Sequence, residues 1–102
     1  MIVTGGENVY PSEVEAALAR HPAVVEVAVI GTPHDRLVEQ VTAVLVTDGP
    51  TPISLEDLRA FLLAHTSLAA FKHPRRLELV EVLPKTGSGK ADRTALKQRY
   101  RR

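Results

Sequence analysis

Val24-Val25-Glu26-Val27-Ala28-Val29-Ile30 is a dense run of apolar, mostly β-branched residues, and Val41-Thr42-Ala43-Val44-Leu45-Val46-Thr47 is a second one. Runs of this kind are typical of strands. Gly31-Thr32-Pro33 is expected to stop the first strand, and Asp48-Gly49-Pro50 is a turn signal after the second. Because the link between the runs is short and polar, we expect the two strands to pair as neighbours.

Helix signals lie on both sides of these strands. Ser12 can cap a helix and Glu15 can close a capping box, with the helix ending at His21-Pro22. Ser54 opens a second helix, with Asp57 three residues later. The residues that helical spacing places on the inner faces are Val14, Ala17, Leu18 and His21 in the first helix, and Leu55, Leu58, Phe61 and Leu62 in the second.

The remaining segments complete a small sheet. Met1 to Pro11 predicts a short strand and a loop, and Arg76 to Leu83 alternates well enough for a further strand. Pro84 to Lys90 has the composition of an irregular loop, after which Asp92 caps a last helix with Ala95, Leu96 and Tyr100 inside. The order β-α-β-β-α-β-α predicts an α+β fold: a small mixed β-sheet with about three helices in a two-layer domain over residues 1–102.

Composition narrows the function class. The 102 residues carry a formal net charge of +1 and no cysteine, which excludes a disulfide framework and thiolate chemistry and gives no bulk attraction to a polyanion. The four histidines lack metal-ligand spacing, so we predict no metal site and structural or exposed roles for each. No apolar run is long enough to cross a membrane and no signal peptide is visible, so we expect a cytoplasmic protein.

Two loops have compositions that suit chemistry. Thr4 to Pro11 contains the pair Gly5-Gly6, which lets a backbone approach another group closely, although a tight turn between strand and helix is the interpretation that local grounds alone favour. Pro84 to Lys90 offers backbone N–H groups and a lysine to an anion. It is no phosphate-binding P-loop, because Pro84 stands where the first glycine is required and Ala91 follows the lysine. Taken alone, this loop favours the interpretation of a mobile linker with a solvated lysine.

Taken together, the two loops resemble the C-terminal domain of adenylate-forming enzymes, in particular the acyl-CoA synthetase branch. The resemblance covers essentially the whole chain. It departs from the family at Leu37-Val38-Glu39, where Trp-Gly-Glu is common, and at Ala70, where Gly is common. The segments that carry it are Gly5 to Glu15, His21 to Val24, Phe71-Lys72-His73-Pro74-Arg75, the pattern P-x-x-x-x-G-K from Pro84 to Lys90, and Asp92-Arg93 with Ala95-Leu96.

The resemblance implies a function in two half-reactions. ATP and a carboxylate form an acyl-adenylate, and the coenzyme A thiol then displaces AMP. Lys90 matches the lysine that reaches the carboxylate and the α-phosphate, and Gly87 and Gly89 would let its loop insert. Gly6 matches the glycine that lines the pantetheine tunnel, and Asn8 is a candidate polar contact beside it.

The resemblance also implies a missing partner. ATP, Mg²⁺ and the acyl group would be bound mainly by an N-terminal domain, so the chain resembles a fragment that begins just past the hinge and is predicted to be inactive alone. The family's lysine is often acetylated, which makes Lys90 a candidate substrate of a protein acetyltransferase. Two alternatives stay open: loading of a carrier-protein thiol, and a stand-alone binding module with the basic tail Lys97 to Arg102. The near-neutral charge and the scarcity of aromatic residues speak against nucleic acid as its ligand.

Overall fold

A computed structural model describes residues 1–49 and 52–101. The predicted order of elements is confirmed, with one strand more than expected. The turn predicted at Asp48-Gly49-Pro50 lies partly outside the described residues. The elements are β1 (Ile2–Thr4), β2 (Glu7–Val9), α1 (Pro11–Leu18), β3 (Val24–His34), β4 (Val38–Thr47), α2 (Leu55–His65), a 3₁₀ turn (Ala70–Lys72), β5 (Arg76–Leu79) and α3 (Arg93–Arg99).

Strand β4 is the centre of a mixed five-stranded sheet. Along one side it pairs antiparallel with β3 over its whole length, so the two runs are neighbours as predicted. Along the other side it meets β1 at Thr4–Val38 and then β5, which runs parallel to it from Arg76 to Leu79. β2 extends the sheet beyond β1. The predicted α+β class and mixed sheet are therefore confirmed.

Helices cover both faces of this sheet, which corrects the two-layer prediction. Helices α1 and α2 lie on one face, where the larger core cluster forms, whereas α3 packs against the other face. The larger cluster includes Val29, Ala43 and Leu45 of the strands with Val14, Leu18, Leu58 and Leu62 of the helices, and the smaller one Ala28, Ile30 and Val44 with Leu83 and Leu96. Successive strand residues point to opposite faces, so a continuous apolar run is the pattern of a strand buried on both sides.

The β3–β4 hairpin is longer than predicted. Gly31-Thr32-Pro33 does not stop β3, which continues to His34, and β4 already begins at Val38. Proline is tolerated there because β3 has no further strand beside it among the described residues, so the missing N–H breaks no ladder. The buried hydroxyls of Thr32 and Thr42, 2.8 Å apart, also join the two strands across this stretch.

The helix signals were right in two of three places. Asp57 N–H donates to Ser54 Oγ (3.0 Å), and Ala95 N–H donates to Asp92 Oδ1 (3.0 Å), so both predicted caps are confirmed. The capping box of Ser12 with Glu15 is wrong: α1 starts at Pro11, which places Ser12 inside the helix. That helix also ends at Leu18 rather than near His21-Pro22.

The other differences are at strand ends. Segment 1–11 contains two strands, not one, because Gly5-Gly6 turns the chain back on itself. The strand predicted from Arg76 to Leu83 ends at Leu79. Beyond it the chain leaves the sheet, and Leu83 is buried beneath α3 instead.

Candidate functional site

The Gly5-Gly6 segment is the two-residue turn of the β1–β2 hairpin. Thr4 pairs with Glu7, and the φ angles of Gly5 and Gly6 are 57° and 82°. Two positive φ values in succession are what the common two-residue hairpin turn requires, and glycine adopts them without steric cost. Gly5 N–H also donates to Leu37 O (3.0 Å), which ties the turn to the β3–β4 corner.

The surroundings of the two glycines differ. A Cβ atom on Gly5 would lie 3.3 Å from Leu37 Cδ2, whereas a Cβ atom on Gly6 would have no atom within 4 Å. Asn8, the second predicted residue here, is exposed on β2 opposite Val3. Gly6 and Asn8 therefore share an open surface at this end of the sheet, and their contact with a ligand stays a prediction.

The Pro84–Lys90 segment is irregular, as predicted, but it is not a loose linker. Thr86 N–H donates to Lys90 O (2.7 Å), Gly89 N–H to Thr86 O (2.9 Å), and Asp92 N–H to Pro84 O (2.8 Å). Gly89 takes a φ of 86° to close the turn. The three backbone bonds make a small, closed loop whose tip, including Gly87, is exposed.

Two lysines of this loop have opposite environments. Lys85 Nζ forms an ion pair with Glu26 of β3, close to the beginning of that strand. The amine of Lys90 takes part in no hydrogen bond or ion pair with any residue in 1–49 or 52–101, and its residue is exposed. The loop thus ends on a free cation, while the lysine five residues earlier fastens the loop to the sheet.

The other side of the loop is fastened by a second ion pair. Arg93, the first residue of α3, places one guanidinium nitrogen 2.6 Å and 2.7 Å from the two carboxylate oxygens of Glu15. Glu15 Oε2 also accepts the N–H of Val29 at 2.9 Å. Sequence reasoning missed this role of Glu15 because its partners lie 14 and 78 positions away. Glu26, the one charge within the first β-branched run, was a visible signal for the Lys85 contact.

The Gly5-Gly6 hairpin and the Lys90 loop lie at opposite ends of the β3–β4 hairpin. The loop is attached at Glu26, and the glycine turn is attached at Leu37, in the corner that follows His34. The eight residue-to-residue steps from Glu26 to His34 span about 26 Å of extended strand. The structure therefore does not bring the predicted site residues together, and each group faces its own side of the molecule.

The four histidines have structural contacts. His21 accepts from Ala23 N–H, and His34 accepts from Arg36 N–H and Leu37 N–H through the same Nδ1 atom. His73 Nε2 lies 3.0 Å from Leu68 O, and the ring of His65 stacks on Phe61. No three His, Cys, Asp or Glu side chains are grouped to hold a metal in residues 1–49 and 52–101. Within the same ranges, none of the helices has the length and apolar character needed to cross a bilayer.

Comparison with known proteins agrees with the motifs. The family described as AMP-binding enzyme C-terminal domain matches residues 13–90. The chain is 48% identical over 100 residues to a probable 2-succinylbenzoate–CoA ligase of Mycobacterium tuberculosis, covering 97% of this chain and 26% of that protein. It is 41% identical over 99 residues to the fatty acid–[acyl-carrier-protein] ligase ScoC of Streptomyces coeruleorubidus, covering 97% and 19%.

Solved structures agree with the sequence matches. The fatty acyl CoA synthetase of Mycobacterium tuberculosis superimposes with a TM-score of 0.89 at 36% identity, over 99% of this chain and 20% of that one. The chain spans about a fifth to a quarter of the length of these proteins.

Proposed function

The chain belongs to the family of AMP-binding enzyme C-terminal domains, and from this premise we propose that it is the lid of an ATP-dependent, AMP-forming acyl- or aryl-CoA ligase. In this proposal the lid supplies Lys90 to the adenylation step and Gly6 to the thioester step. An N-terminal domain of the same enzyme would bind ATP and the acid. The relatives include both a 4-chlorobenzoate–CoA ligase and a fatty-acid ligase, so we do not assign the acid.

The environment of Lys90 is the observation that carries the proposal. Adenylation gathers negative charge on the attacking carboxylate and on the α-phosphate oxygens, and a cation placed between them lowers the energy of the transition state. A long, unbranched ammonium side chain can serve both groups at once. Lys90 is exposed, unpaired in the described part of the chain, and displayed at the end of a closed loop. Lys85, in contrast, already has its counter-ion in Glu26.

The distance between the two loops supports a change of orientation between half-reactions. The Lys90 loop is attached at Glu26 and the Gly5-Gly6 turn at Leu37, and about 26 Å of extended strand separates Glu26 from His34 at the other end of β3. A single active site on a partner domain can be reached by only one of them at a time. The domain would therefore rotate after adenylation, withdrawing Lys90 and bringing Gly6 and Asn8 to the incoming coenzyme A.

Gly6 suits a narrow passage because it has no side chain and open space around it. The pantetheine arm of coenzyme A is slender and has to bring its thiol to a buried acyl-adenylate. Because Gly6 contributes no side chain, only the opposite wall would limit the width of the passage. Gly87 and Gly89 would act in the same way in the Lys90 loop, since a Cβ atom on either has no neighbour within 4 Å in this domain.

We assign the Mg²⁺ that would accompany ATP to the N-terminal domain, where one or two carboxylates and the ATP phosphates would hold it, and derive no step through it. The chain alone is accordingly expected to make no acyl-AMP from ATP and a carboxylate.

A carrier-protein thiol is the second candidate acceptor, favoured by the 41% identity to ScoC. Offering the enzyme coenzyme A and an acyl carrier protein in separate reactions decides between them by which thioester forms. The stand-alone binding module is disfavoured by family membership. Part of its basic tail is also packed on the domain, since the guanidinium of Arg76 lies over the Tyr100 ring at 5.3 Å from its centroid.

The test uses the enzyme that carries this domain, with the half-reactions measured separately. Lys90→Ala is expected to lower adenylation by about 1,000-fold, equivalent to about 4 kcal/mol of transition-state stabilisation. Thioester formation from supplied acyl-AMP should continue. Lys97→Ala, which removes another exposed lysine nearby, is the control and should behave as wild type. If Lys90→Ala leaves adenylation unchanged, the proposal is wrong.

Acetylation of Lys90 is a further part of the proposal, in the cytoplasmic setting expected above. An exposed, unpaired amine is accessible to a protein acetyltransferase, and acetylation would remove the charge that adenylation needs. Mass spectrometry of the protein from its native host, in several growth conditions, checks this. Unmodified Lys90 in all of them would contradict it.

A further inference from the structure

Glu15 is a junction at the free edge of the sheet. β3 has no strand on its outer side among the described residues, so the N–H of Val29 would otherwise point to solvent there. The Glu15 carboxylate accepts this N–H at 2.9 Å and both of its oxygens are within 2.7 Å of Arg93. The carboxylate therefore joins three elements, α1, β3 and α3.

This junction leads directly to the Lys90 loop. Arg93 is the third residue after Lys90, and the residue before it, Asp92, caps α3 and donates its N–H to Pro84 O. The start of α3 and the base of the loop are thus one rigid unit. The contact between Arg93 and Glu15 fixes the direction of this unit relative to the sheet together with the Lys85–Glu26 ion pair and the buried Leu96, and Glu15 is in turn held by the Val29 backbone.

We propose that Glu15 and Arg93 are positioning residues for adenylation, which set the direction in which Lys90 leaves the domain. The proposal rests on the proposed role of Lys90 and adds that the Glu15–Arg93 ion pair sets the direction of the Lys90 side chain. Neither residue touches substrate in this account. They act because the lysine has a long, flexible side chain, and only a fixed base can deliver its amine to one place.

The ion pair is expected to affect the rate of adenylation much more than the stability of the domain. Arg93 is 46% exposed in its side chain, and exposed ion pairs contribute little to stability. A displacement of a catalytic group by about 1 Å, in contrast, can cost up to about 100-fold in rate. Loss of the pair should therefore leave the domain folded and the lysine poorly aimed.

Helix α1 offers a matched control. Glu13, two residues before Glu15, forms an ion pair of 2.8 Å with Lys72, which belongs to the 3₁₀ turn and not to the Lys90 loop. If any ion pair on α1 were enough to explain an effect, Glu13→Gln would reproduce it. The positioning role predicts that it does not.

The experiment compares Arg93→Ala, Arg93→Lys, Glu13→Gln and Lys90→Ala in the enzyme that carries this domain. Arg93→Ala should lower kcat of adenylation about 10-fold without raising KM. Thioester formation from supplied acyl-AMP should be unchanged, because it uses the other end of the domain. Arg93→Lys should retain most of the adenylation rate. In the wild-type domain a single guanidinium nitrogen contacts both carboxylate oxygens of Glu15, and an ammonium group can make the same two contacts. Glu13→Gln should be silent.

Two results would overturn the inference while leaving the proposed function intact. One is normal adenylation in Arg93→Ala together with its collapse in Lys90→Ala. The other is an equal loss of both half-reactions in Arg93→Ala, which would indicate a general structural role. If Lys90→Ala itself adenylates normally, the proposed function fails and the inference is overturned with it.

Discussion

The Gly5-Gly6 hairpin and the Pro84–Lys90 loop are both short glycine-containing turns, yet different forces hold them. The hairpin is part of the sheet: its strands pair with each other, and Gly5 N–H bonds to Leu37 O. The loop is closed by its own backbone and attached to the body by two ion pairs, Lys85–Glu26 and Arg93–Glu15.

This difference predicts different responses to change. In the hairpin, the φ angles of Gly5 and Gly6 are part of the shape, so a side chain there acts on the backbone as well as on whatever approaches it. In the loop, the tip makes no contacts that the fold needs, and side chains at its base determine where the tip points. The Gly5-Gly6 turn, which is part of the sheet, is suited to presenting a fixed surface. The Pro84–Lys90 loop, which is held by ion pairs, is suited to presenting the flexible side chain of Lys90.

Gly6→Leu is the substitution expected to have the largest effect on the hairpin. A leucine at this position should lower thioester formation by about 100-fold, because its side chain would occupy the passage that we assign to pantetheine, and adenylation should continue. Within the domain itself the Cβ atom meets no neighbour within 4 Å, so the obstruction would arise only with the ligand present. Separate assays of the two half-reactions measure the split.

Gly6→Ala is the control for that experiment. Alanine carries the same backbone strain at a φ of 82°, about 1–2 kcal/mol, but little of the bulk. If Gly6→Ala and Gly6→Leu impair thioester formation equally, strain is the cause and the assignment of Gly6 to the tunnel is wrong.

Val38→Gly tests the backbone strain at the corner between β3 and β4, to which the Gly5-Gly6 hairpin is attached. Val38 has a φ of 74°, a conformation that is strained for a β-branched residue, and its side chain is 70% exposed. Glycine relieves the strain of about 1–2 kcal/mol but adds freedom to the unfolded chain, so the net gain should be about 1 kcal/mol. The thermal midpoint of this chain should rise by about 5 °C. A fall in the midpoint would mean that the valine side chain contributes packing that outweighs the strain.

Salt should have the smallest effect, and only on the Lys90 loop. The two ion pairs are partly exposed and are screened as ionic strength rises from about 0.05 M to about 0.5 M. Amide exchange at Thr86 and Gly89 should then accelerate about twofold relative to Gly5, whose bond to Leu37 O does not depend on either ion pair. Equal changes at all three amides would show that the ion pairs do not hold the loop.

Local signals explain why much of the fold could be predicted. The caps at Ser54 and Asp92 were right because each bond joins residues three apart, so nothing distant competes strongly. The same reasoning failed at Ser12 and Glu15. There the helix starts at Pro11, two residues earlier than a Ser12 cap requires, and the Glu15 carboxylate is taken by Val29 and Arg93, neither of which a local pattern reveals.

The candidate site residues could be named from the sequence, but their arrangement could not be predicted. The motifs around Gly6 and Lys90 were visible because glycine pairs and a lysine after a glycine are unusual in a scaffold. Glu26 indicated a cation beside the start of β3, but which of the two lysines of the loop, Lys85 or Lys90, pairs with it was not visible. The face of the sheet on which α3 packs was also missed. Four consecutive apolar residues of β3, Val27 to Ile30, were a signal of burial on both faces.

The sequence by itself determined the β3–β4 pair, two of the three helix starts, the family resemblance and the candidate residues for chemistry. These depend on preferences that act over a few neighbouring residues. Only the tertiary structure decided that Gly6 and Lys90 lie at opposite ends of the sheet and that Glu15 and Glu26 fasten the loop. Those outcomes depend on contacts between residues 59 and 78 positions apart, and such contacts exist only once the helices have packed against the sheet.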